Sequence, residues 1–355
     1  MSLKVAQWAT GNVGRAAVQT IVSHPELELV DLIVHSPDKV GRDAGELVGI
    51  PHVGVAATDD VDAVLARRPD CVSYTATGDL RPAAAVADIC RVLEAGINVV
   101  STSVVPLVHP KSADEGLVTQ LEAACKAGGT SCFTSGIDPG FANDVLPLTL
   151  LGVADRVDSI RVMEILNYDT YDQPEVLFET MGFGKPMDHI PILLLPGVLG
   201  LAWGGTVNML AEGLGVELDE VRETYERLPA PTTFTIPPGT VQEGTVAGLR
   251  FSVEGIVGGK PAIVLEHVTR LRDDIAPDWP HALSGKGSYR VIIDGNPNMR
   301  CELEIEGEDG DPNTGGLLVT ATRIVNAIPA VCAAAPGLLT PLDLPLVTGR
   351  GRMPA

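Results

Sequence analysis

The chain is short of aromatic residues and of positive charge. Its 355 residues hold 3 Trp, 5 Tyr and 6 Phe, 4% in all. That is too few for the stacking platforms that hold single-stranded nucleic acid. Lys and Arg number 25 against 46 Asp and Glu, for a formal net charge of −21. Such a surface repels phosphate backbones and anionic lipid heads, so neither nucleic acid nor membrane is expected as a partner. An anionic cofactor would need a locally positive pocket. Cysteine pairs in CxxC spacing are absent. Those at 71, 90, 125, 132 and 332 sit among apolar neighbours and read as small core residues in a reducing compartment. No basic segment leading into an apolar signal core is present, so a cytoplasmic protein is expected. The histidines at 189, 267 and 281 stand isolated, and no metal site is expected.

One stretch, "IPILLLPGVLGLAWGGTVNMLA" at 190–211, carries no charge and has the length of a bilayer span. Two prolines, four glycines and the lack of a basic flank favour broken helices in a pocket wall or subunit interface.

What the chain does contain is a regular alternation. The length suits two domains. Over residues 1–140, strand-like runs such as "KVAQWA", "LELVDLIVH", "CVSYTA", "INVVST" and "TSCFTS" are separated by helical patterns. That order implies parallel β-α-β units and a Rossmann-type doubly wound sheet. Residues 141–312 break the pattern. Several strands in series, punctuated by "VGGKP" and "DGNPN", predict a mostly antiparallel sheet in a second, α+β domain. A closing helix at about 315–335 can pack back on the first domain, and a Pro- and Leu-rich tail fills 336–355.

The turn after the first strand reads Ala9, Thr10, Gly11, Asn12, Val13, Gly14, Arg15. It is a dinucleotide fingerprint with alanine at the first glycine position. Its context, after a strand and opening a helix, gives it weight. Gly11 would let the backbone approach a pyrophosphate, and the helix terminus would offer free N–H groups. At the end of the second strand, where an acid would select NAD, the chain has His35 and Ser36, then Lys39 and Arg42. A hydroxyl and two cations suit a 2'-phosphate. NADP is therefore the preferred cofactor, with NAD as the alternative. Ala76, Thr77 and Gly78, with Thr102 and Ser103, end two further strands and should line the cofactor crevice.

With that turn, "SGIDPGFANDVLPL", "STSVVPLVHP", "NYDTYDQPEVLFETMGFG" and "AAAPGLLTPLDLP" complete a pattern. The chain resembles the dihydrodipicolinate-reductase-like NAD(P)-dependent dehydrogenases. Within them it is most similar to the 2,4-diaminopentanoate dehydrogenase and native amine dehydrogenase group. The resemblance implies hydride transfer between nicotinamide and a C=N carbon, and usually a homodimer. Two departures stand out. The paired-His, Lys stretch of the true dihydrodipicolinate reductases is absent. The acid that amine dehydrogenases place after the fifth strand is also missing: valine or proline occupies its place in Ser101–Pro106.

Replacement groups must come from elsewhere. Tyr168 can donate a phenolic proton to a carbonyl oxygen. Asp138 precedes Pro139 and can act as acid or as turn cap. His109 can reach the nicotinamide or serve its own loop. Glu175 would sit in a helix's first turn. Phe141, Asn143, Tyr168, Tyr171, Met181, Phe183 and Trp203 are the candidates for a wall around a small hydrophobic carbonyl, imine or amine, or else plain core. A carbonyl reductase without ammonia and a non-catalytic NADP-binding sensor remain as alternatives.

Overall fold

The computed structural model describes residues 2–78 and 81–353. They fall into two compact units, residues up to 141 with those from 317 onward, and residues 142–316.

The first unit opens with β1 (Leu3–Trp8), α1 (Asn12–Val22), β2 (Leu27–Ile33), α2 (Ala44–Val48), β3 (Ala57–Thr58) and α3 (Val61–Arg67). It continues through β4 (Cys71–Tyr74), α4 (Pro82–Glu94), β5 (Asn98–Ser101), α5 (Glu115–Gly128) and β6 (Ser131–Thr134). The second unit holds α6 (Val145–Leu151), β7 (Arg156–Asn167), α7 (Val198–Leu214), β8 (Glu220–Pro229), β9 (Phe234–Ile236) and β10 (Gly239–Val241). Then come β11 (Val246–Val257), β12 (Lys260–Arg270), β13 (Gly287–Asn296) and β14 (Met299–Leu303). The helix α8 (Pro312–Ala333) leads to β15 (Gly337–Leu339), which returns to the first sheet.

The seven strands of the first unit run β15-β6-β5-β4-β1-β2-β3, and every recorded pair is parallel. Both faces are buried, as a sheet wrapped by crossover helices requires. Along β1, Ala6 and Trp8 pack with α4 and α5 residues such as Ile89 and Leu121. Val5 packs on the other face with Val18 and Ile21 of α1 and Ile324 and Ile328 of α8. This is the expected α/β class with a doubly wound sheet. By length and apolarity α8 could cross a membrane, yet it contributes core residues here. The uncharged 190–211 stretch is broken as expected: a short turn at Ile192–Leu194 precedes α7.

The second unit is built on a six-stranded mixed sheet ordered β14-β13-β7-β12-β11-β8. The β7–β12 pair is parallel and the others are antiparallel. Helix α7 lies on the face that carries Phe251 and His267, where Trp203 meets both rings. The opposite face is polar and charge-paired. All six cysteines are free.

Candidate active site

In the first sheet, Trp8 pairs with Tyr74, Tyr74 with Ser101, and Ser101 with Thr134. The carboxyl ends of β1, β4, β5 and β6 are therefore level. The loops that follow them emerge along one edge, with the strand order reversing about β1. In open α/β sheets ligands bind at this edge.

The fingerprint turn is built from both backbone and side chain. Ala9 adopts φ +81°, the left-handed conformation that the missing glycine would take freely. For an L-residue this costs about 1–2 kcal/mol. Gln7, wholly buried, offsets that strain: its amide reaches the Ala9 carbonyl at 3.1 Å and the Thr75 hydroxyl at 2.8 Å. Gly14 is obligatory, because a Cβ there would lie 2.4 Å from the Ala9 carbonyl oxygen. Gly11 caps α1, and a Cβ on it would meet nothing within 4 Å. No side chain caps the helix and no acid stands in its first turn. The amides of Asn12, Val13 and Gly14 are thus left for an anion. Open space beside Gly11 and a closed contact behind Gly14 fit a dinucleotide pyrophosphate. Arg15 is exposed beside this turn.

The segment after β2 borders the same turn. Lys39 extends its ammonium to the Thr10 hydroxyl at 3.0 Å. Trp8 donates its indole N–H to His35 Nε2 at 3.1 Å. Ser36 is exposed. Arg42 pairs with Glu46 one helical turn on, both exposed. Lys39 therefore sits at the cradle, while Arg42 is held by its acidic neighbour.

Two small-residue loops complete the edge. The Ser103 hydroxyl donates to the Ala76 carbonyl, and a Cβ on Gly78 would lie 3.1 Å from the Val104 amide nitrogen. Thr77 is exposed, and Thr102 donates its backbone N–H to the Tyr74 carbonyl. The last residue of the "TATGD" stretch, Asp79, lies outside the described residues. Val104 has φ +57°. A β-branched residue in the left-handed region is a genuine outlier, and such strain clusters at functional sites. His109 is buried, its Nδ1 2.8 Å from the Ser112 hydroxyl. Asp138 is half-buried in the loop after β6, and Phe141 donates its backbone N–H to the Gly136 carbonyl.

In the second unit, parallel register sets Glu164 on β7 directly beside His267 on β12, and antiparallel register sets Tyr289 of β13 on its other side. Glu164 is 4% exposed. It accepts the Tyr168 hydroxyl at 2.7 Å, and His267 Nδ1 lies 3.5 Å away. Burial, then the Glu164 charge, pushes the Tyr168 phenol well above its ordinary value, which keeps it a hydrogen-bond donor. Tyr168 stacks on Tyr171 at 4.8 Å, and Phe251 stacks on His267 at 4.5 Å. His267, read from sequence as isolated, is thus part of a buried cluster. Glu164 was not legible from sequence as a member of this cluster. Its signal, an acid amid the apolar run "RVMEIL", matches an ordinary strand residue until its neighbours are known. Of the remaining wall candidates, Met181 and Phe183 belong to the core of this unit, and Asn143 is buried. Glu175 is exposed.

A parallel sheet with an uncapped helix terminus at its switch point defines a dinucleotide-binding α/β enzyme. Comparison with known proteins narrows the class. Residues 141–351 match the 2,4-diaminopentanoate dehydrogenase C-terminal domain, and residues 7–103 the N-terminus of dihydrodipicolinate reductase. An amine dehydrogenase of Streptomyces virginiae is 46% identical over 98% of this chain and 97% of its own. The 2,4-diaminopentanoate dehydrogenase of Acetoanaerobium sticklandii is 24% identical over 97% of this chain and 94% of its own. The solved amine dehydrogenase of Mycobacterium smegmatis superposes with a TM-score of 0.77 at 22% identity, covering 99% of this chain and 98% of that one. The chain belongs to the 2,4-diaminopentanoate dehydrogenase and amine dehydrogenase family, and it is an NAD(P)-dependent oxidoreductase.

Proposed function

We propose that the protein is an amine dehydrogenase that joins ammonia to a small hydrophobic aldehyde or ketone and reduces the resulting C=N bond, with NADP(H) preferred. The observation that carries this reading is the 46% identity to the Streptomyces virginiae amine dehydrogenase across 98% of the chain. When bound, reduced nicotinamide supplies a hydride to the C=N carbon. An iminium that gains a hydride becomes a neutral amine, so the transfer itself consumes no proton. The protein's part is to hold the dinucleotide on the α1 amides and the Gly11 opening, and to orient the nitrogen.

Lys39 supports the preference for NADP(H): its ammonium lies on Thr10 at the fingerprint turn, and His35 and Ser36 stand where an acid at the end of β2 would bind ribose hydroxyls. A cytoplasmic homodimer fits the resemblance. The uncovered polar face of the six-stranded sheet, with Arg161, Arg250 and Glu266, is the surface on which a second copy would sit. Light scattering would read the dimer.

NADPH absorbance followed with small aldehydes and ketones tests the chemistry. Oxidation that requires ammonium is the expected result. Val104 favours a second reading, since it stands in the loop where the family resemblance implies an acid. A carbonyl reductase would oxidise NADPH without ammonium and form an alcohol.

A further inference from the structure

The second unit holds two buried glutamates, Glu164 and Glu266, and a half-buried third, Glu302, on one sheet, and their surroundings differ in kind. Glu266 is clamped by Arg161 and by Arg250, the latter at 2.6 Å. Glu302 is clamped by Arg290 at 2.6 Å and also accepts the Ser288 hydroxyl at 2.6 Å. Glu164 has neither arginine nor lysine beside it among the described residues. Its partners are the Tyr168 phenol and the His267 imidazole. The 3.5 Å imidazole distance exceeds the roughly 2.7–2.9 Å of a charge-assisted bond. A carboxylate removed from water favours a positive partner, and beside Glu164 no arginine or lysine among the described residues supplies one.

The same place gathers the chain's scarce aromatic rings. Three of its 5 tyrosines, Tyr168, Tyr171 and Tyr289, lie in this cluster, and Trp203 and Phe251 flank His267. Aromatic faces around an anion attract a cation that also carries apolar bulk. Arginine-clamped carboxylates cannot do this, because their charge is already matched. Tyr168 donates its hydroxyl to Glu164 and His267 stands beside it, so both fix the position of the carboxyl group.

We propose that Glu164 receives the positively charged nitrogen of the substrate, an alkyl iminium or ammonium with a small apolar body, and that Tyr168 and His267 are its positioning residues. This deepens the amine reading above and rests on it for the identity of the reacting group.

The test compares two ligands of one shape, n-butylammonium and butan-1-ol, by calorimetric titration of the NADP-bound protein, alongside ammonium-dependent NADPH oxidation. The wild type should bind the ammonium more tightly than the alcohol. Glu164→Gln should remove that preference, weakening the ammonium about 30-fold or more, as loss of one member of a buried charge pair does. Alcohol binding and NADPH affinity should hold, which shows that the variant is folded. Glu164→Asp, which keeps the charge on a shorter arm, should restore part of the preference. If Glu164→Gln keeps the wild-type preference while ammonium-dependent oxidation is present, the assignment of Glu164 is overturned and the amine reading stands. If the preference disappears with Glu164→Gln but no carbonyl gives ammonium-dependent oxidation, the cation site stands and the amine reading falls. A wild type with no preference for the ammonium overturns the site.

Discussion

Glu164 and Glu266 lie on neighbouring strands, β7 and β12, and both are almost fully buried. They point to opposite faces. Glu266 faces the polar side and is held between two arginines. Glu164 faces α7 and has a phenol and an imidazole beside it. The difference separates a charge that holds the fold from a charge held ready by the fold. The fingerprint turn shows the same division between two glycines. Gly14 is pressed against backbone and Gly11 faces open space. One keeps helix against strand, and the other keeps room for a ligand.

Each contrast can be broken by substitution. The largest effect is expected at Glu164, where Gln should lower ammonium-dependent turnover about 100-fold or more, as loss of one transition-state contact does. Thermal unfolding should hardly move, since Gln still accepts the Tyr168 hydroxyl. A large fall in melting temperature with normal turnover would invert the contrast. Next are the two glycines. Gly14→Ala forces backbone apart and should cost about 2–4 kcal/mol, seen in denaturant titration. Gly11→Ala should leave stability within about 1 kcal/mol and weaken NADPH binding instead. Equal stability losses at both would remove the distinction.

Smaller effects follow. Glu266→Gln should cost about 1–3 kcal/mol, at the low end because Arg161 and Arg250 are each more than a third exposed, with KM and kcat unchanged. Lys39→Ala should weaken NADPH about tenfold, roughly 1.4 kcal/mol, and spare NADH. An equal loss for both cofactors would contradict the 2'-phosphate assignment. The mildest signal is pH. Burial would raise the Glu302 carboxyl, but the Arg290 guanidinium and the Ser288 hydroxyl outweigh it and hold it below its ordinary value. A carboxyl lowered on folding adds stability above its unfolded value of about 4.3 and loses it as pH falls through the folded value. Acid unfolding should therefore steepen below about pH 4, and Glu302→Gln should flatten that limb.

The first unit was the more legible because its signals are local. A strand, a glycine turn and a helix in succession define the dinucleotide half within residues 3–22. The same local reading drew attention to Lys39, which meets Thr10 of the fingerprint turn. It missed Gln7, whose role exists only because β1 and β4 are neighbours and bring Thr75 to it. It also missed β8, "EVRETYERLP", an exposed edge strand with charges on both sides and no apolar alternation. β3 and β15 are two and three residues long and depend on the strand beside them. In the second unit the strands were visible but their pairing was not. Glu164 and His267 meet through a parallel register between strands far apart in sequence. The periodicity of either strand carries no trace of that meeting.

The most direct measurement is mass spectrometry of the product formed from an aliphatic ketone, 15N-ammonium and NADPH deuterated at the transferred C4 position. The account predicts an amine that carries deuterium on the former carbonyl carbon and 15N beside it. A deuterated alcohol without 15N would contradict it.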